Sequence, residues 1–170
     1  MRLDVYWIEG PWRGRLGIVP RPRGGDWLEE EIQAWRRAGI DIVASALTEE
    51  EMAIFDLAGE AAMSQANGIC YLPFPIEDRE VPASLKAARE FIHELRVQLT
   101  NGHNVAIHCR QSVGRSSLLA ASLLVSSGIE PAAAFKRIEQ ARGCPVPETV
   151  EQREWVAKLA RDFLKPTEAS

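Results

Sequence analysis

Val105-Ala106-Ile107-His108-Cys109-Arg110-Gln111-Ser112-Val113-Gly114-Arg115-Ser116-Ser117 decides the fold. An apolar run ends on a His-Cys pair, a short loop with one glycine follows, and Arg115 closes it. Next comes Leu118-Leu119-Ala120-Ala121-Ser122-Leu123-Leu124-Val125, apolar on nearly every side, which reads as a buried helix. Strand, tight loop and helix in that order aim backbone N–H groups and the positive end of a helix dipole into one small bowl. A bowl of that kind holds an oxyanion of phosphate size. Cys109 stands at its first position and Arg115 at its last.

A free thiol has a pKa near 8.5, so only a small fraction is thiolate at neutral pH. Inward N–H groups, a helix N-terminus and a guanidinium each lower that value. The same donors suit the non-bridging oxygens of a phosphoryl group, and the planar fork of Arg115 grips two of them. One loop therefore serves both to activate a nucleophile and to stabilise charge during transfer. Ser116 is placed to donate a hydroxyl hydrogen bond to the sulfur and assist its departure. The bland readings are a buried small hydrophobe for Cys109 and a surface cation for Arg115. Gly114 and the helix that follows weigh against them.

His108-Cys109, five residues and Arg115-Ser116 resemble the active-site loop of the cysteine-dependent protein phosphatases, the dual-specificity branch in particular for so short a chain. A second match is Leu72-Pro73-Phe74-Pro75-Ile76-Glu77-Asp78-Arg79-Glu80-Val81-Pro82, similar to the family's acid loop. A weaker third is Pro147-Glu148-Thr149-Val150-Glu151-Gln152. The resemblance implies Cys109 as nucleophile and Arg115 as phosphate ligand. It makes His108 the residue that holds the loop and helps depress the thiol pKa. Asp78 is then the general acid, chosen over Glu77 and Glu80 by the family pattern alone. Gln152 is a water-positioning residue or a plain helix-surface glutamine. Arg110, Gln111, Ser112, Val113 and Gly114 complete the phosphate-binding loop, with the Arg110 and Gln111 side chains splayed outward at the rim. The route needs no metal and no cofactor.

At 170 residues, 46% apolar and 26% charged, the chain has the composition of one globular domain. The expected division is 1–25 as N-terminal strands and loop, 26–165 as catalytic core and 166–170 as tail. Net charge −4 speaks against nucleic acid bound through bulk charge, and no apolar run reaches membrane-spanning length. Met1-Arg2-Leu3-Asp4-Val5 lacks the apolar core of a secretion signal. Three scattered cysteines, Cys70, Cys109 and Cys144, give no disulfide framework, which fits a reducing cytoplasm. The basic cluster Arg13, Arg15, Arg21 and Arg23 reads as a solvated loop or as added positive potential near an anionic substrate.

Strands are expected at 5–8, 16–19, 40–47, 69–72 and 105–108. Helices are expected from an Asp26 cap to Arg37 and from a Thr48-Glu51 capping box to about Leu57, with a helical extension from Ala61 to Asn67. Further helices cover Ser84–Leu99 with Leu85 on the apolar face, about Gly114–Ser126, Ala132–Ala141 behind Pro131, and Glu148–Lys165 with Val150 inward. The alternation implies a single α/β domain, protein tyrosine phosphatase-like, with a central mostly parallel sheet flanked by helices on both faces. The site then lies beyond the carboxyl end of a central strand.

The substrate expected is a phosphorylated protein or peptide. A phosphoinositide, an RNA 5′-phosphate, or a phospho-binding module without turnover are the alternatives. Sulfur transfer and arsenate reduction also use Cys-plus-Arg loops, but Ser116 and Asp78 argue against them.

Overall fold

Five strands and seven helices, described over residues 4–164 of a computed structural model, follow the expected alternation. The sheet order is β1 (Tyr6–Ile8), β2 (Leu16–Ile18), β5 (Val105–His108), β3 (Ile42–Ser45), β4 (Cys70–Pro73). Only β1 runs antiparallel to its neighbour; β2, β5, β3 and β4 are mutually parallel. Crossover helices create the parallel pairs, and the alternation of side chains along each strand sorts the core into two.

On one face Leu16, Ile18, Ile42, Ala44, Val105 and Ile107 meet α4 (Leu85–Thr100), α5 (Gly114–Ser126), α6 (Pro131–Arg142) and α7 (Val150–Leu164). On the other, Val43 and Ala106 meet Leu28, Ile32 and Trp35 of α1 (Leu28–Arg37), with Leu57 and Ile69 alongside. β5 is the middle strand, with all four residues buried. From Gly114 through Val125 every residue of α5 is buried, as its all-round apolar sequence requires.

Several local expectations are corrected. Asp26 is not a helix cap: it lies in a 3₁₀ turn, Gly25–Trp27, and α1 starts behind Trp27 without a side-chain cap. The Thr48 capping box forms as expected, but its helix, α2 (Glu49–Ile54), is short. Asp56 then takes a positive φ of 55°, and α3 (Glu60–Ala66) begins separately. Leu85 (37%) and Val150 (65%) are exposed because each sits in the first turn of its helix, before the apolar stripe reaches the core. The expected end of α7 at Lys165, the tail 166–170 and residues 1–3 lie outside the described residues. No helix among the described residues is long and apolar enough to cross a membrane.

Candidate active site

The loop from Cys109 to Gly114 leaves the carboxyl end of β5 and enters α5, so its position is fixed by the most buried strand and helix of the fold. Among the described residues the backbone N–H groups of Arg110, Gln111, Ser112 and Val113 bond to no other part of the chain. Unspent donors at a helix N-terminus are what an oxyanion needs.

Ser112 gives the loop its shape. Its φ is +57°, a conformation that glycine adopts more cheaply. Two bonds hold it there: Ser112 Oγ donates to the Val19 carbonyl at 2.6 Å, and Arg142 Nε donates to the Ser112 carbonyl at 2.9 Å. Gly114 lets Gln152 pack close: a Cβ there would lie 2.9 Å from the Gln152 amide, which would have to shift.

Cys109 is a free thiol, 2% exposed, resting on the apolar core at the foot of the bowl. Arg115 is 1% exposed. Its Nη1 donates to Glu51 Oε1 at 2.6 Å and to the Ile76 carbonyl at 2.7 Å; its Nη2 donates to Glu51 Oε2 at 2.9 Å. Asp78 Oδ1 lies 3.3 Å from the same Nη2. Nε makes no hydrogen bond among the described residues. Burial pulls the Arg115 pKa down, but the Glu51 bonds and the negative charges of Cys109, Glu51 and Asp78 outweigh it, so the value is raised. Burial likewise pushes the Glu51 carboxyl up, and the Arg115 and Thr48 bonds overcome that and lower it. The guanidinium is thus a fixed cation beside the sulfur.

The acid loop is held over the bowl from several sides. Phe74 N donates to Ser45 O and Ile76 N to Ala46 O, extending the sheet register past β4. Arg115 binds the Ile76 carbonyl, and Gln152 Nε2 donates to the Glu80 carbonyl at 3.1 Å. Asp78 is 44% exposed at its side chain, between Arg115 and Arg110, whose Nη1 is 3.9 Å from Asp78 Oδ2. Glu77 and Glu80 are exposed and neither pairs with Arg115.

His108 is fully buried, with Nε2 2.6 Å from Glu60 Oε1, while its Nδ1 is unpartnered. Burial and the neighbouring charge of Glu60 push the Tyr71 phenol up to about 12. Gln152 is fully buried rather than a surface glutamine: its Oε1 accepts from Glu148 N and Thr149 N. The Ser116 hydroxyl is buried but unpaired, so the expected bond to the sulfur is not made in this geometry. Arg110 and Gln111 are exposed at the rim, as expected. Cys70 is exposed, Cys144 half-buried, and neither is disulfide-bonded. Among the described residues no three His, Cys, Asp or Glu side chains are placed to share a metal ion.

Sequence reasoning missed Glu51 and Glu60. Glu51 was legible only as the fourth residue of a capping box, a role it also fills: its Oε1 accepts from Thr48 N at 3.1 Å. Glu60 carried no local signal, because its partner is 48 residues away.

A parallel-sheet α/β fold with a Cys-to-Arg loop between its middle strand and a buried helix defines the cysteine-dependent phosphatases of the dual-specificity and tyrosine type, a class of hydrolases. The chain belongs to the family described as "Polymorphic toxin system, DSP-PTPase phosphatase", whose model matches residues 19–129. It is similar to cyclin-dependent kinase inhibitor 3 of Rattus norvegicus, 28% identical over 139 residues, 81% of this chain. The Homo sapiens protein of that name is 27% identical over 139 residues, again 81% of this chain. The matched part spans 65% of those relatives' own length. Among solved structures, kinase-associated phosphatase with its catalytic cysteine replaced by serine superposes with a TM-score of 0.85 at 22% identity. That match covers 96% of this chain and 97% of the other. Tk-PTP in its active form gives 0.77 at 25% identity, covering 95% and 99%.

Proposed function

We propose that the chain hydrolyses phosphotyrosine, and phosphoserine or phosphothreonine, in protein or peptide substrates through a cysteinyl-phosphate intermediate. The observation that carries this reading is the set of unspent loop N–H groups around Cys109, closed by the fixed guanidinium of Arg115. The phosphoryl oxygens take the loop N–H groups and Arg115 Nε–H. The Cys109 thiolate attacks phosphorus, the S–P bond forms as the ester P–O bond breaks, and Asp78 gives its proton to the leaving oxygen. Water then attacks phosphorus and passes a proton to Asp78. The S–P bond breaks, and phosphate and the thiolate are released. Gln152, whose Nε2 keeps one N–H beyond its bond to Glu80 O, directs that water. The Ser116 hydroxyl, unpaired beforehand, turns to the departing sulfur.

Residues 1–170 act as one catalytic domain, and a thiolate mechanism suits the reducing cytoplasm. The name of the kinase-associated relative supports a protein substrate. The test is turnover of an aryl phosphate. Cys109→Ser abolishes it, and equal activity in both forms refutes the reading. Asp78→Asn slows release of poor leaving groups by about 10²–10⁴-fold.

A further inference from the structure

The mouth of the bowl carries two arginines that the chemistry above does not use. Arg21 lies with its guanidinium carbon 3.5 Å above the centre of the Phe55 ring, and Arg110 faces the same ring at 5.4 Å. Arg21 Nη1 also donates to the Arg110 carbonyl at 3.3 Å, directly beside Cys109 in the chain. Two like charges are thereby held together. Burial lowers the Arg21 pKa, and the charge of Arg110 lowers it further.

The carboxylates that act on this pair, Asp78 near Arg110 and Glu51 through its charge on Arg21, are both shared with Arg115. Arg21 makes no ion pair among the described residues, and the Asp78 carboxylate stands 3.9 Å from Arg110 while serving Arg115. Glu51 is already spent on Arg115. Two other members of the basic cluster go elsewhere: Arg15 stacks on Trp7, and Arg23 pairs with Glu31 and lies over Trp27.

The placement of Arg21 is built into the backbone. Pro20 and Pro22 flank it and restrict its φ/ψ range. Four residues on from Arg21, Gly25 N donates to the Asp56 carbonyl at 3.2 Å. Gly24 presses so closely on the same turn that a Cβ would lie 2.2 Å from the Phe55 carbonyl oxygen. A preorganised pair of guanidiniums around one aromatic ring, at the rim of an oxyanion bowl, suits a bidentate anion.

We propose that Arg21 and Arg110, mounted on Phe55, form a second anion subsite that selects phosphopeptides carrying an acidic group, carboxylate or second phosphate, next to the residue being dephosphorylated. This rests on the phosphatase reading above. A peptide suits the site better than an anionic lipid surface, because net charge −4 repels such a surface as a whole while leaving a local cationic notch.

The test compares phosphotyrosine peptides matched except for one neighbour: Ala, Glu or phosphothreonine. The wild type, Arg21→Ala, Arg21→Lys and Arg110→Ala are each checked for folding by circular dichroism. The expected readout is a kcat/KM for the wild type about 5-fold higher with Glu, and about tenfold or more higher with phosphothreonine, than with Ala. The preference shrinks as salt rises. Arg21→Ala and Arg110→Ala bring the ratios towards one, and Arg21→Lys keeps part of the preference. An unchanged preference in folded Arg21→Ala, or none in the wild type, overturns the subsite. So does Arg21-dependent turnover of a phosphoinositide in vesicles that exceeds every peptide. Aryl phosphate turnover by the wild type separates the two ideas: its absence removes the phosphatase reading, and its presence without discrimination removes only the subsite.

Discussion

Removing the Glu51 carboxylate is the sharpest probe of what holds the site. Glu51→Ala deletes the two close carboxylate acceptors of the Arg115 fork, at 2.6 and 2.9 Å, and leaves a cation that is 1% exposed with only the half-exposed Asp78 carboxylate, 3.3 Å away, as a charge partner. Breaking one side of a buried pair costs about 3–5 kcal/mol. The Thr48 N–H loses its acceptor too, adding about 1 kcal/mol. Against a total stability of about 5–15 kcal/mol this is a large share. At about 2–4 °C per kcal/mol for a chain of this size, the thermal midpoint falls by roughly 10 °C or more. Circular dichroism melts measure it. Inorganic phosphate restores the variant by more than it stabilises the wild type, since the anion supplies the charge that Glu51 supplied. At 100 times its Kd the gain is about 2.7 kcal/mol. The wild type carries the same signature in acid. The Glu51 pKa is lowered from its ordinary 4.5, so the pair's contribution is complete above that value. It is lost as pH falls through the lower folded value. A midpoint shift under 3 °C with undiminished aryl phosphate turnover would refute the account of Arg115 as a cation held by Glu51.

Ser112→Ala keeps the positive φ but loses the donor to Val19 O, costing about 1–2 kcal/mol in urea melts. Ser112→Gly loses the same bond yet relieves the backbone by a similar amount, so it lies near the wild type. Equal stability of the Ala variant and the wild type would contradict this. Glu60→Leu leaves both His108 nitrogens unpaired and lowers stability by roughly 2–3 kcal/mol, whereas Glu60→Gln, still an acceptor, loses less. Identical melts for the two would deny the His108 bond any structural weight.

Much of this molecule was legible because its signals are local. Val105–His108 is a short apolar run and Gly114–Ser126 an apolar helix, so periodicity alone orders strand, loop and helix. Thr48 and Glu51 lie three apart, within the reach of one side chain. Asp26 misled because an acid before a helix looks like a cap, whereas Gly25 at φ +61° starts a 3₁₀ turn first. Val150 misled because an apolar first-turn residue matches the stripe without reaching the core. Glu60, Glu51 as ion-pair partner, and Arg21 against Phe55 stayed hidden for one reason. Their partners are 48, 64 and 34 positions away, and no spacing rule spans such gaps.

The helix behind the bowl has no outward side from Gly114 to Val125. Laboratory evolution of this chain is therefore channelled. Substitutions there strike foldedness before they reach chemistry, so a library spread along it returns mostly dead clones. Rim positions such as Gln111 stand in water, and new selectivities can be sampled there while the machinery underneath stays intact.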